Sequence, residues 1–296
     1  MPQFEQKEKM PFKMQNMQIG VVIFMIGLFK KCVLADGIAP SANSLFTSVA
    51  RGGSPHLLDA WTGVLAYTFQ IYFDFSGYSD MAIGLARMCG ISLPVNFWSP
   101  YKATSITDFW RRWHITLSRF LRDYLYIPLG GNRRGKTRRY INLMITMLLG
   151  GLWHGAGWTF VVWGGLHGTY LIIDQAWRNL KERFGWNVLE HTVIGNWSGR
   201  LSTFAAVVFA WVFFRASTFE GAVRVFRGMI GLNGIVMPFE MKSMLAQLPV
   251  IQNVCSALNV EYRVVMCDLE QGASLVVLLV ISWYFRRNKE RTLEKL

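Results

Sequence analysis

Long apolar runs parted by short blocks of charge set the first limit on how this chain can fold. In a soluble domain, charge dots every surface helix and amounts to about a quarter of the residues. Here 17% of residues are charged and 52% hydrophobic, so the polar surface a water-soluble core would need is missing. Segregation of this kind points to a chain embedded in lipid. We read residues 1–296 as one all-α, polytopic membrane-embedded unit. The balance of 31 Lys and Arg against 18 Asp and Glu gives a formal charge of +13. Much of the excess sits in two blocks, 102–139 and the tail 286–296, rather than along one face. That distribution fits the positive-inside rule and not a nucleic-acid surface, so membrane lipids are the expected partner and nucleic acid is not. Cys32, Cys89, Cys255 and Cys267 are scattered and suggest no disulfide or metal framework.

The first expected span is Met17 to Phe29, with Lys30 and Lys31 snorkelling toward the headgroups. A turn-rich connection, Asp36 to Pro55, leads to a second span from Leu57 to Phe75. Gly77 should break it, and a shorter helix from Ser79 to Cys89 should close on Gly90. Tyr140 to Trp177 as one straight helix would be about 57 Å long, against a hydrocarbon core of about 30 Å, so it must be a broken pair. Leu201–Phe214 and Ala273–Phe285 read as further spans. Residues 220–270 carry no catalytic signal.

Between these runs, residues 102–139 hold ten Lys and Arg against Asp108 and Asp123. Ile106, Phe109, Trp110, Trp113, Leu117, Phe120 and Tyr124 recur at helical spacing and predict one amphipathic helix, started by Ser105 with Asp108 as a capping box. A basic helix with aromatic anchors lies flat at a membrane interface. We therefore place 102–139, an interfacial helix and basic loop, in the cytoplasm together with the 286–296 tail. GGNRRGKT, 130–137, matches the phosphate-loop pattern letter for letter but lacks the strand-to-helix setting that motif requires. It reads as a basic loop that meets anionic headgroups.

Three of the five histidines lie among aromatics and glycines: His114 in RRWHITLS, His154 in GGLWHGAGW and His167 in WGGLHG. His154 would lie about 21 Å along a helix entering near Tyr140. Ionisable groups at that depth are costly and face interior cavities, which makes them functional candidates. A ring kept from water stays neutral and can accept a proton, and the flanking glycines allow close approach. The alternative is a buried histidine satisfied by backbone. His114 reads equally as an interfacial ring, and His167 as packing between glycine turns. Asp74 and Asp80 are carboxylates in or beside a span. Either lines an aqueous path, or Asp80 caps the helix behind it. A transporter without covalent chemistry, or a haem-binding electron carrier, would also use buried polar groups; no HxxxH pair supports the latter.

FDFSGYSDMAIGLARMCGISLPVNF, DFWRRWHITLSRFLRDYLYIPLGGNRRG, GGLWHGAGWTFVVWGGLHG and FAWVFFRAST follow one another in this order. They resemble the membrane-bound O-acyltransferase family, and most nearly its bacterial alginate O-acetyltransferase branch. The resemblance implies a helical fold with re-entrant helices around a narrow channel. It assigns catalysis to His154 in the WHG motif, with a second histidine at His114. Asp74, Trp113, Trp153 and His167 would then shape the channel. It further implies no tightly bound cofactor: an acyl thioester, acetyl-CoA or an acyl carrier, serves as cytoplasmic donor. The acceptor is a hydroxyl of a cell-surface polysaccharide such as alginate, reached with periplasmic acetyltransferase partner proteins at the bacterial inner membrane. Members begin with further spans ahead of the segment resembling MPQFEQKE, so this chain is expected to be N-terminally incomplete.

Overall fold

The computed structural model describes residues 13–185 and 192–238, with 255, 257, 260–263, 274, 277 and 278 beyond them. His191, Cys267, most of the expected span Ala273–Phe285 and the 286–296 tail lie outside the described residues. The described residues are mostly helical. Helix α1 (Met14–Phe29) passes through a π-helical turn, Lys30–Ala35, into α2 (Asp36–Ala50). There follow α3 (Leu57–Met88), α4 (Ile106–Arg112), α5 (Ile115–Leu121), α6 (Gly135–His154), α7 (Trp158–Phe184), α8 (Val193–Arg215) and α9 (Phe219–Met229). One small departure from the all-α expectation is a parallel pairing of Val236–Pro238 with Glu261–Arg263. By length and composition, Met14–Ala50 and Val193–Arg215 are able to cross a membrane.

Two expectations about α1–α3 are corrected. The Asp36–Pro55 connection is mostly helix, because Ile38, Ala42, Leu45, Phe46 and Val49 form one buried face against α3 despite the turn-forming residues between them. Gly77 does not break α3. It sits where α1 and α3 cross in antiparallel fashion, with Gly27 opposite Gly77 and Gly20 opposite Gly84. A Cβ on Gly77 would lie 2.7 Å from the Gly27 carbonyl oxygen, and one on Gly84 would lie 2.6 Å from the Gly20 carbonyl oxygen. Only hydrogen at these four positions lets the backbones come so close, which is how helices gain contact where lipid replaces water. The helix does close at Gly90, whose φ of 75° and bond to the Arg87 carbonyl turn the chain.

Tyr140–Trp177 is a broken pair. The hairpin α6–α7 is packed through Gly151, Gly164 and Gly168; a Cβ on Gly164 would sit 2.3 Å from the Met147 carbonyl oxygen. The polar stretch after Trp177 continues α7 to Phe184, and α8 starts at Val193, capped by Thr192, well before the expected Leu201.

The amphipathic 102–139 block is not one helix. Ser105 caps α4 by accepting the Asp108 N–H at 3.2 Å, but the helix ends at Arg112 and restarts at Ile115. His114, between them, has φ 41°, a left-handed conformation rare for a residue with a Cβ. Neighbouring loops enforce it. Asn96 Oδ1 accepts both the Thr116 N–H (3.1 Å) and its hydroxyl (2.7 Å), and the Asn96 carbonyl accepts from Ile115 N–H. Thus the cap of α5 comes from Asn96 and not from His114. At its other end α4 is tied to α7, where Asp174 accepts from the Thr107 N–H and hydroxyl. The GGNRRGKT loop forms turns between helical segments, with Gly130, Gly131 and Gly135 at positive φ and no strand preceding it.

Candidate functional site

Both candidate histidines sit where a helix stops. His154 is the last residue of α6, at the tip of the hairpin, and Gly155 with Gly157 carries the chain round into α7. A Cβ at Gly155 would strike the Phe160 ring at 2.5 Å, so the turn beside the imidazole admits only glycine without rearrangement. The ring is gripped edge-on by Trp153, Trp163 and Phe214, at centroid distances of 4.9, 5.3 and 5.1 Å. Among the described residues no side chain or backbone group hydrogen-bonds it, which leaves its nitrogens for whatever occupies the cavity.

His114 is brought to the same cavity by the left-handed break. Had α4 and α5 run on as one helix, the ring would have followed the projection of the amphipathic face. Instead it packs against the edge of Phe75 at 4.7 Å and over Phe97 at 6.3 Å, with the Thr116 hydroxyl 3.5 Å from Nδ1. Burial, with a smaller push from the nearby His154 ring, brings the His114 imidazole down to about 4. It is therefore neutral through the physiological range.

The shared cavity has a volume of about 530 Å³. Asp74, Trp113, His114, Trp153 and His154 line it, together with Lys31, Ile71, Phe75, Tyr78, Met81, Trp163, Trp211 and Phe214. His167 is not on its surface. It is fully buried behind the wall, where Nδ1 accepts from Trp110 Nε1 at 3.3 Å and the ring packs on Trp163. Since Nδ1 accepts, the neutral ring carries its hydrogen on Nε2, which has no partner among the described residues. It stands behind the cavity wall, packed against Trp163.

The lysines and the second aspartate also differ from expectation. Lys30 does not snorkel: it is buried, 2.6 Å from Asp80, an ion pair that locks the π turn to α3. Asp80 lies inside a continuous helix and not at the start of one. Lys31, not foreseen as a site residue, reaches Asp74 at 2.5 Å and Asp36 at 3.2 Å. The signal that could have found it was present. Two adjacent lysines after an apolar run and two aspartates six residues apart in the next segment are four charges that lipid would force together. His56 keeps to the periphery, its Nδ1 3.6 Å from Asp59.

A helical scaffold suited to lipid, closed around an aromatic cavity that presents two imidazoles, fits a membrane-bound transferase. Comparison with known proteins agrees with it: residues 1–218 match the model of the MBOAT, membrane-bound O-acyltransferase family, and the chain belongs to that family. The peptidoglycan O-acetyltransferase of Helicobacter pylori is 50% identical over 235 residues, covering 79% of this chain and 43% of that protein. The probable alginate O-acetylase AlgI of Azotobacter vinelandii is 46% identical over 78% of this chain and 44% of its own length. The teichoic acid D-alanyltransferase of Streptococcus thermophilus is 33% identical over 55% of this chain and 41% of its own length. The chain thus spans less than half the length of these relatives.

Proposed function

We propose that the cavity is the seat of an O-acyl transfer in which His154 is the general base. An acyl thioester, acetyl-CoA or an acyl carrier, enters from the cytoplasmic side, where the basic 102–139 block lies. The acceptor is a hydroxyl of a cell-surface polysaccharide, of the class named in the relatives, and alginate is the first candidate. As the hydroxyl oxygen attacks the thioester carbonyl carbon, His154 takes the hydroxyl proton. The C–S bond breaks when the tetrahedral intermediate collapses, and the imidazolium returns the proton to the departing thiolate. General base catalysis of this kind contributes about 10²–10⁴-fold. Positioning between aromatic walls, with water kept out, supplies more. His114 lies beside the reacting groups as a neutral ring able to donate or accept a hydrogen bond. We place the chain as a multi-pass protein of the bacterial cytoplasmic membrane, with its acylated product passed to periplasmic partner proteins.

One observation carries this reading: His114 and His154, forty residues apart in sequence, line one cavity, each placed there by the end of a helix. The test is His154→Ala, with polymer-bound acetyl measured as base-released acetate and the amount of protein in the membrane measured alongside. We expect acetate to fall to background at normal protein level. Retention of most of the acetate would remove His154 from the mechanism.

A further inference from the structure

Among the described residues lining the cavity, Lys31 and Asp74 alone carry formal charge, and they face each other at 2.5 Å. Asp36, outside the lining, shares the ammonium at 3.2 Å. The remaining wall is aromatic and aliphatic apart from the Tyr78 hydroxyl and two imidazoles. Both partners are part-exposed, so the pair forms surface that an occupant meets and not a buried strut. We infer that this ion pair selects the acyl group that the cavity accepts.

The reasoning is electrostatic. An acyl chain bearing an ammonium or a carboxylate must shed water to enter an aromatic cavity, and that cost is recovered only against an opposite charge. Asp74 is already matched by Lys31, so an ammonium finds no unmatched carboxylate. Lys31 is already matched by Asp74 and Asp36, so a carboxylate finds no unmatched cation. An uncharged group such as acetyl sheds little and meets apolar wall. The pair thus excludes aminoacyl and carboxyacyl donors without touching the reacting carbon. Removing Lys31 alone would reverse part of this, since Asp74 would then wait unpaired for a cation.

The inference rests on the acyl-transfer reading of the cavity, and its test reads binding rather than turnover. Trp113, Trp153, Trp163 and Trp211 line the cavity, so occupancy quenches tryptophan fluorescence. The probes are S-acetonyl-N-acetylcysteamine, an uncleavable analogue of an acetyl thioester, and its 3-amino-2-oxopropyl counterpart, which carries an ammonium. The wild-type protein should bind the neutral probe at least about 10-fold more tightly, within the range a pocket achieves by mismatch alone. In Lys31→Met the ammonium probe should gain about 10-fold or more relative to the neutral one. In the double variant Lys31→Met/Asp74→Asn, whose cavity lining is again without net charge, the wild-type preference should return. Equal binding of both probes by the wild type, an unchanged ratio in Lys31→Met, or no quenching by the neutral probe would each overturn the inference. Failure of the mechanism would show elsewhere, as acetate release that survives His154→Ala, and would leave these affinity ratios as they are.

Discussion

Gly77→Ala places one methyl group between α1 and α3, and the structure says how far it must push. Its Cβ would lie 2.7 Å from the Gly27 carbonyl oxygen, and 3.1 Å from both the Lys30 Cβ and the Lys31 nitrogen. A carbon rests about 3.5 Å from a neighbouring atom, so the backbones must part by roughly 0.8 Å at this point. No side-chain rotation can absorb it, because two of the three atoms struck belong to backbone. The displaced segment begins the π turn that holds Lys30 against Asp80 and Lys31 against Asp74, and so moves the cavity wall. Overpacking costs about 1–3 kcal/mol, partly offset by the roughly 1 kcal/mol that alanine gains over glycine within a helix. A shift near 1 Å in a positioning wall costs about 100-fold in rate. We therefore expect a small loss of thermal stability in detergent with a loss of acetyl transfer near two orders of magnitude. Gly37→Ala, where a Cβ meets nothing within 4 Å, is the matched control and should behave as wild type. If Gly77→Ala transferred acetyl at the wild-type rate, the close crossing would not be setting the cavity wall.

Three other outcomes are expected. Lys30→Met should cost about 3–5 kcal/mol in a denaturant titration, because it strands Asp80 in a buried site; Lys30→Met/Asp80→Leu should recover much of that, and equal stability of the two would argue that the pair is not coupled. His114→Gly removes the imidazole but suits the left-handed backbone, which costs a Cβ-bearing residue about 1–2 kcal/mol. Stability should hold or rise while acetate release falls by about 100-fold, and full activity would reduce His114 to a turn residue. Single cysteines at Arg134 or Lys136 should escape an impermeant thiol reagent in intact cells and react after lysis; labelling of intact cells would put the basic block on the outer face.

The broken pair of Tyr140–Trp177 was legible because length alone forbids one helix across a bilayer, and the Ser105 cap because its signal is local. Other features depend on partners far away in sequence. The heptad-spaced Gly20 and Gly27 mean little until Gly77 and Gly84 are known to lie opposite, and by itself Gly77 reads as a helix breaker. The helix break at His114 was hidden for the same reason: periodicity runs smoothly through Trp113 and Leu117, while the residue that imposes the break, Asn96, lies in a preceding loop. His154 and His114 could be named from their surroundings, yet their common cavity depends on two helix ends meeting. Lys31 was misread because a lysine after an apolar run ordinarily reaches for headgroups. Here the π turn aims it inward.

That π turn also fixes the length of the chain through it. A π turn holds about one residue more than an α turn, so losing one residue between Lys30 and Ala35 would give a plain α-helix of unbroken hydrogen bonding. The faces on either side would keep their phase, because six π-helical residues turn through about the same angle as five α-helical ones. Gly20 and Gly27 would stay against α3, as would Ile38, Leu45 and Phe46. The loss would fall on the two lysines, whose aim at Asp80 and Asp74 depends on the widened turn. The extra residue thus serves the ion pairs and not the helix crossing.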